Sequence, residues 1–270
     1  MELLHLINLS KATISFSDVP LNDEDSRISL ICKSPTITLP FLETEKGNIS
    51  QSNAIEYYIC SKYSPELLGQ TLIEKAKINQ WIEFANCEIS RSAKALIYPI
   101  FGWDKYEKDK AEKENNNIKN YLKIINTSLQ KNKYIIGDKI TLADIVLFRH
   151  LRFFMMFHFP EGMRKSLFPK VATWFQDIMN SKEAIKAYGR TFLCKNPLKA
   201  FTGEIKRKPL IINQKKKEDN KDKKVERKNT NETEEEKIAR RKAEKKADME
   251  YPSPKNRRKK TQSRMLRIQR

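Results

Sequence analysis

The alternation of apolar and polar positions divides this chain into three stretches of different texture. From about residue 65 to 200, apolar residues recur at helical spacing. Ile78, Trp81, Ile82, Ala85 and Ile89 fall on one face of a helix that runs towards Pro99. Ile118, Tyr121, Leu122, Ile125 and Leu129 define a second helix. Between Thr141 and about Phe157 the chain is apolar on nearly every side, Arg149, His150 and Arg152 apart, which predicts a central helix buried by its neighbours. Pro169 suits the first turn of the next helix, with Val171, Trp174, Phe175 and Ile178 turned inward. Ser181 is the expected cap of a last short helix through Tyr188, stopped by Gly189.

Residues 1–62 read as a small α/β unit. Glu2–Leu6 is predicted as a first strand and Arg27–Cys32 as another, while residues 8–25 mix Thr, Ser and Ile without a clear period. Leu39–Leu42 is apolar around Pro40, the polar run 43–48 carries Gly47 as a hairpin signal, and Ile49–Ser50 is a short returning strand. Ser52 is the expected cap of a helix whose inner face is Ile55, Tyr58 and Ile59. Beyond residue 202 the pattern fades. Lys206–Asn231 is charged, with too few apolar residues to offset chain entropy. Residues 233–250 place acids first and bases later, which complements a helix dipole, but their apolar stripe is thin. A solvated helix is expected there, ended by Pro252 and Pro254, and no folded domain in 211–270.

Charge sharpens the division. The 270 residues carry 53 Lys and Arg against 34 Asp and Glu, a net of +19. Residues 203–270 hold 25 of those bases and 12 of the acids, so most of the excess sits in the last quarter. The hydrophobic fraction of 39% is low for a wholly globular chain because the tail dilutes it. The expected organisation is therefore 1–62, 63–202 and a basic tail at 203–270.

Other classes of chemistry find little support. Cys32, Cys60, Cys87 and Cys194 form no C-x-x-C pair, which argues against zinc and redox motifs; Cys60 and Cys87, in apolar periodic segments, are expected to be buried thiols. His5, His150 and His158 are scattered, so no metal site is expected. With seven glycines there is no glycine-rich phosphate loop. No run approaches the ~20 apolar residues of a membrane span, and no signal peptide opens the chain. A cytoplasmic or nuclear setting is expected.

Gly137-Asp-Lys-Ile-Thr141-Leu-Ala-Asp144 has the spacing of a capping box, with Asp144 placed to return a bond to the Thr141 amide. Its expected role is folding, because the first amides of a buried helix need partners. The tail clusters Lys215-Lys216-Lys217, Arg240-Arg241-Lys242 and Lys255-Asn-Arg257-Arg258-Lys259-Lys260 supply charge for a polyanion such as RNA or the ribosome. Only Tyr251 interrupts them as an aromatic, so base stacking is not indicated. Pro254–Lys260 also has the composition of a nuclear-import signal. Polyanion binding, import and a solvated linker stay open as readings of this tail. The density of the run Phe153-Phe-Met-Met-Phe157 exceeds what one helix face needs; it reads mainly as core, with one side available to a partner.

Pro40 before a hairpin, followed by Gln51-Ser52-Asn53-Ala54-Ile55 opening a helix, resembles the signature of the glutathione-transferase-like family. The capping box at Thr141 and Asp144 is similar to that of the family's helical domain. The resemblance implies a cis bond at Leu39–Pro40. It also implies a fold of α/β plus all-α type: a thioredoxin-like N-terminal unit, here shortened, packed on an all-helical domain. In that family Leu39, Pro40, Gln51 and Ser52 would be the remnant of a glutathione site. Gln51 stands where the family carries an acid, and Ser10 is the one weak candidate for activating the glutathione thiol. Neither catalysis nor bound glutathione is therefore expected.

Gln80-Trp-Ile-Glu-Phe-Ala85 with Tyr98-Pro99 and Gly102, then Gly137–Ile145, then Phe168-Pro169 through Leu193-Cys194, are similar to the elongation factor 1-gamma branch of this family. That branch implies a non-catalytic scaffold of translation, docking translation factors and able to form homo- or hetero-oligomers through its transferase-like domain. Domains appended to aminoacyl-tRNA synthetases and their scaffold proteins are the alternative, since basic tails in that group contact tRNA. An active glutathione transferase is the second alternative.

Overall fold

The computed structural model describes residues 3–10, 12–18, 33–34, 39–201 and 264–268. The chain opens with a helix, α1 (Leu4–Leu9), and not with the strand expected at Glu2–Leu6. Leu3, Leu6 and Ile7 are buried at helical spacing, and a run this short fits either period until tertiary packing decides. Ser10 ends α1 in extended backbone, its amide bonded to the Leu6 carbonyl.

β1 (Ile14–Asp18) falls in the segment without a clear period. β2 (Phe41–Thr44) and β3 (Gly47–Ser50) form the expected hairpin, with Phe41 opposite Ser50 and Thr44 opposite Gly47. Gly47 has φ +137°, which a side chain rarely adopts. Leu39–Pro40 is cis. A fourth strand, β4 (Arg264–Ile268), comes from the far end of the chain, where no folded element was expected. The sheet order is β1-β4-β2-β3. The strand expected at Arg27–Cys32 lies outside the described residues, as does the helix expected at 233–250.

The helical part follows the apolar spacing. α2 (Ser52–Tyr63) starts at Ser52 itself; Gln51 is the capping position, and its side chain makes no capping bond. The expectation that Ser52 caps this helix is therefore corrected by one residue: the register of the hairpin delivers the chain to the helix at Gln51. α3 (Leu72–Phe84) opens with a capping box in which Thr71 and Glu74 exchange bonds. It passes through a π-helical turn at Ala85–Ile89 into α4 (Ser90–Leu96). A 3-10 turn at Tyr98–Phe101 leads to α5 (Lys108–Ser128). The central helix α6 (Leu142–Phe157) buries eleven of its residues, as its all-round apolarity requires. α7 (Glu161–Leu167), α8 (Pro169–Met179) and α9 (Lys182–Tyr188) complete the set. On α8 the buried residues are Val171, Trp174, Phe175 and Ile178, and Ser181 caps α9 by accepting from the Ala184 amide.

One core runs through these elements. It joins Leu6 of α1, Leu42 of β2, and Ile55 and Ile59 of α2 to Ile78, Ile118, Leu122, Leu147, Phe148 and Phe175 of the helices. α6 lies at its centre, against α3 on one side and α1 on another. β4 belongs to the same compact unit as residues 1–206.

Candidate functional site

The hairpin determines where the candidate site forms. Because Phe41 pairs with Ser50, Pro40 and Gln51 leave the same end of β2 and β3 side by side. Gln51 has φ 73° and ψ 125°, the only positive φ of a non-glycine among the described residues. Such backbone is disfavoured by Cβ sterics and persists only where its surroundings hold it. Next to it opens a polar cleft of about 360 Å³. Gln51, Ser52 and Asn53 line one part, Glu83 and Asn86 of the α3 region another, and Arg149 and His150 of α6 the rest.

Arg149 is not a free cation in this cleft. Its guanidinium is paired with Glu56, a fully buried carboxylate on α2, so it ties α2 to α6. His150 Nδ1 lies 2.8 Å from the Val146 carbonyl oxygen. Little net positive charge is left to attract an anion.

Ser10 is occupied elsewhere. Its hydroxyl donates to the Ile7 carbonyl at 3.1 Å and accepts from the Ala12 amide at 3.4 Å, closing the end of α1. Gln51 presents an amide where the family resemblance asks for a carboxylate. Were Ser10 and Gln51 to serve glutathione as the family resemblance implies, the fit would be poor: Ser10 offers a hydroxyl engaged in a turn, and Gln51 an amide without the charge that would pair with the ligand's amine.

Thr141 and Asp144 do structural work at the start of α6. The Asp144 carboxylate accepts from the Thr141 amide and hydroxyl, the Ile135 amide and the Trp174 indole N–H, each at 2.9 Å. Burial pushes its pKa up, and these four bonds oppose that rise. Only the bond to Thr141 follows from local spacing; Ile135 and Trp174 arrive through the fold. The Glu56–Arg149 pair was likewise missed, for its members lie far apart in sequence. The Thr71–Glu74 box was missed although its spacing was visible.

Of the other candidates, His5 is fully buried and His158 Nε2 lies 3.0 Å from Asn115 Oδ1. No cluster of metal-ligating side chains occurs among the described residues. Cys60 and Cys194 are buried, but Cys87, expected inside, is exposed: it sits in the π-helical turn, where the added residue shifts the helical phase. Arg164, also buried, donates to the carbonyls of Phe159 and Cys194 and is consumed by the fold. No helix among the described residues is long and apolar enough to cross a membrane. The basic clusters at 215–217, 240–242 and 255–260 lie outside the described residues.

A second feature is aromatic. Phe154 and Met155 belong to the core and Met156 is buried, while Phe153, partly buried against the core, and Phe157 join a group of rings that reaches the surface. Phe101 stacks on Trp103 at 4.8 Å and meets Phe157 edge-on at 5.1 Å; Phe192 continues the group. Phe101, Trp103 and Phe192 are exposed. Exposed aromatic groups of this kind are what partner surfaces are made of.

A thioredoxin-like hairpin with a cis-proline, set on an all-helical domain centred on a capped apolar helix, is the glutathione-transferase-like fold. The family model described as Glutathione S-transferase, C-terminal domain, matches residues 91–182. Among the relatives that the chain is similar to are proteins named elongation factor 1-gamma. That of Prunus avium is 35% identical over 160 residues, covering 58% of this chain and 37% of the relative. That of Artemia salina is 31% identical over 161 residues, 59% of this chain and 36% of the relative. The chain thus spans little more than a third of the length of these curated relatives. Among solved structures, the glutathione-transferase-like domain of elongation factor 1-gamma from Saccharomyces cerevisiae superposes with a TM-score of 0.61 at 21% identity, covering 74% of this chain and 94% of that one. A poplar glutathione transferase superposes with a TM-score of 0.59 at 19% identity, over 69% of this chain and 89% of that one. Both show the same fold.

Proposed function

We propose that this protein is a non-catalytic, cytoplasmic scaffold of the translation machinery. Its transferase-like domain docks a translation factor or an aminoacyl-tRNA synthetase subunit, and its basic tail contacts RNA or the ribosome. The similarity to elongation factor 1-gamma over more than half of the chain carries the translation assignment. The state of Ser10 and Gln51 carries the non-catalytic one, because the hydroxyl that would activate a thiol closes a helix instead. The exposed aromatic group around Phe101 and Trp103 supports docking. The concentration of basic residues in 203–270 supports a polyanion contact.

Calorimetric titration of the full chain with reduced glutathione tests the reading. No binding heat is expected at millimolar ligand. Binding that disappears in Ser52→Ala would restore the enzyme reading and remove the scaffold one.

A further inference from the structure

The sheet of this protein is completed by the far end of its own chain. β1 and β2 are not neighbours; β4 lies between them. It pairs antiparallel with all five residues of β1, from Ile14 opposite Ile268 to Asp18 opposite Arg264. It pairs parallel with β2 at Leu42–Leu266 and Glu43–Arg267. Without β4, two strand edges would face each other about 10 Å apart, twice the strand spacing and too far to pair directly. Their backbone groups would then lack partners beside the fully buried Leu42.

The register also explains why this segment fits. Strand residues alternate between faces. Leu266 falls level with Phe16 on one side and Leu42 on the other, and Ile268 falls level with Ile14. Arg267 falls level with Glu43 in the same register. Met265, Leu266 and Ile268 form a compact apolar group at the end of an otherwise charged tail.

We propose that the space between β1 and β2 is a strand-accepting site whose occupant is the chain's own segment 264–268, held by β-augmentation within one molecule. The basic segment 202–263 is then tied at both ends, to the helical domain at Phe201 and to the sheet at Arg264. This assignment is independent of which partner the domain docks.

Hydrogen–deuterium exchange on the full chain tests it, comparing the natural sequence with Leu266→Pro. Proline supplies no amide hydrogen and is excluded from a central strand. Exchange at residues 14–18 and 41–44 is expected to quicken at least tenfold while that of Leu142–Phe157 stays unchanged. A synthetic peptide of residues 262–270 added to the variant is expected to restore protection. Equal protection of both strands in the two proteins overturns the proposal. A cross-link gives a second readout should the variant fold poorly. Ser17→Cys and Met265→Cys stand directly opposite each other and are expected to form a disulfide within one chain on mild oxidation in a Cys87→Ser background. Thiols that stay reduced, or a disulfide joining two chains, overturn the intramolecular assignment.

Discussion

His5 illustrates how much a single residue can cost this fold as pH changes. Its ring is fully buried between Phe148 and Tyr188, with centroids 5.7 and 5.6 Å away, and neither ring nitrogen has a hydrogen-bond partner among the described residues. Burial lowers its pKa to about 4, with the Glu183 charge opposing the fall and the Arg149 charge adding to it. His158 is lowered to about 4 in the same way, by burial and then by Lys119. Both rings are neutral in the fold at neutral pH, whereas the unfolded chain takes up their protons near pH 6.5. Stability contributed by these groups is therefore present above pH 6.5 and lost as pH falls towards 4. For His5 the loss is expected to approach about 3 kcal/mol. Urea unfolding between pH 7 and 4 checks this, and His5→Leu is expected to flatten the profile. Asp144 is the second residue of consequence. Asp144→Ala would leave the Trp174 indole and the Ile135 and Thr141 amides buried without their acceptor, and a loss of about 3 kcal/mol or more is expected in denaturant unfolding followed by tryptophan fluorescence. Its spacing from Thr141 made it legible in the sequence as a capping residue; its bond to Trp174 depends on α8 folding back over α6, which no local pattern encodes.

At the scale of elements, periodicity was decisive where segments were long. α5 and α8 bury the faces that their spacing predicts, because a stripe repeated over three or more turns leaves one workable orientation, and α6, apolar nearly all round, is buried on most sides. It misled at α1, where six residues carry too little period and packing against α9 selects the helix. Nor does spacing reveal how α2 is held to α6. That link runs through Glu56 and Arg149, and its geometry makes a prediction. Arg149→Met removes the cation beside a fully buried carboxylate, so a loss of about 3 kcal/mol is expected. Replacing both members, as Glu56→Gln with Arg149→Met, is expected to recover part of that loss, since no unpaired charge then stays inside. A double-mutant cycle in urea measures the difference; equal losses for the single and the double variant would contradict the coupling.

For the whole molecule, the question is how a folded domain and a basic tail act together. The hydrophobic deficit and the charge count separated them in the sequence. The return of residues 264–268 to the sheet was not legible, because three apolar residues in a five-residue stretch after a charged run carry no mark of a partner strand more than 200 residues away. That return changes what a tail experiment measures. Removing everything after residue 202 takes away both the charge and the central strand, so lost RNA binding would report either. Replacing Lys and Arg between 206 and 260 by Gln separates the two. Affinity of the full chain for a generic RNA is expected to fall, and the slope of log K against log salt to shrink with the number of phosphate contacts removed. Protection of the amides in 14–18 and 41–44 is expected to hold, because the strand that completes the sheet is intact. Truncation at 263 is expected to do the reverse, exposing those amides while leaving the charge of 206–260 in place. Because it also removes Arg264, Arg267 and Arg270, its RNA affinity is compared with that of the full chain carrying Gln at those three positions, which isolates what tying the basic segment at both ends contributes. Unchanged affinity would assign binding to charge alone, and altered affinity at equal charge would assign a share to the geometry of the loop.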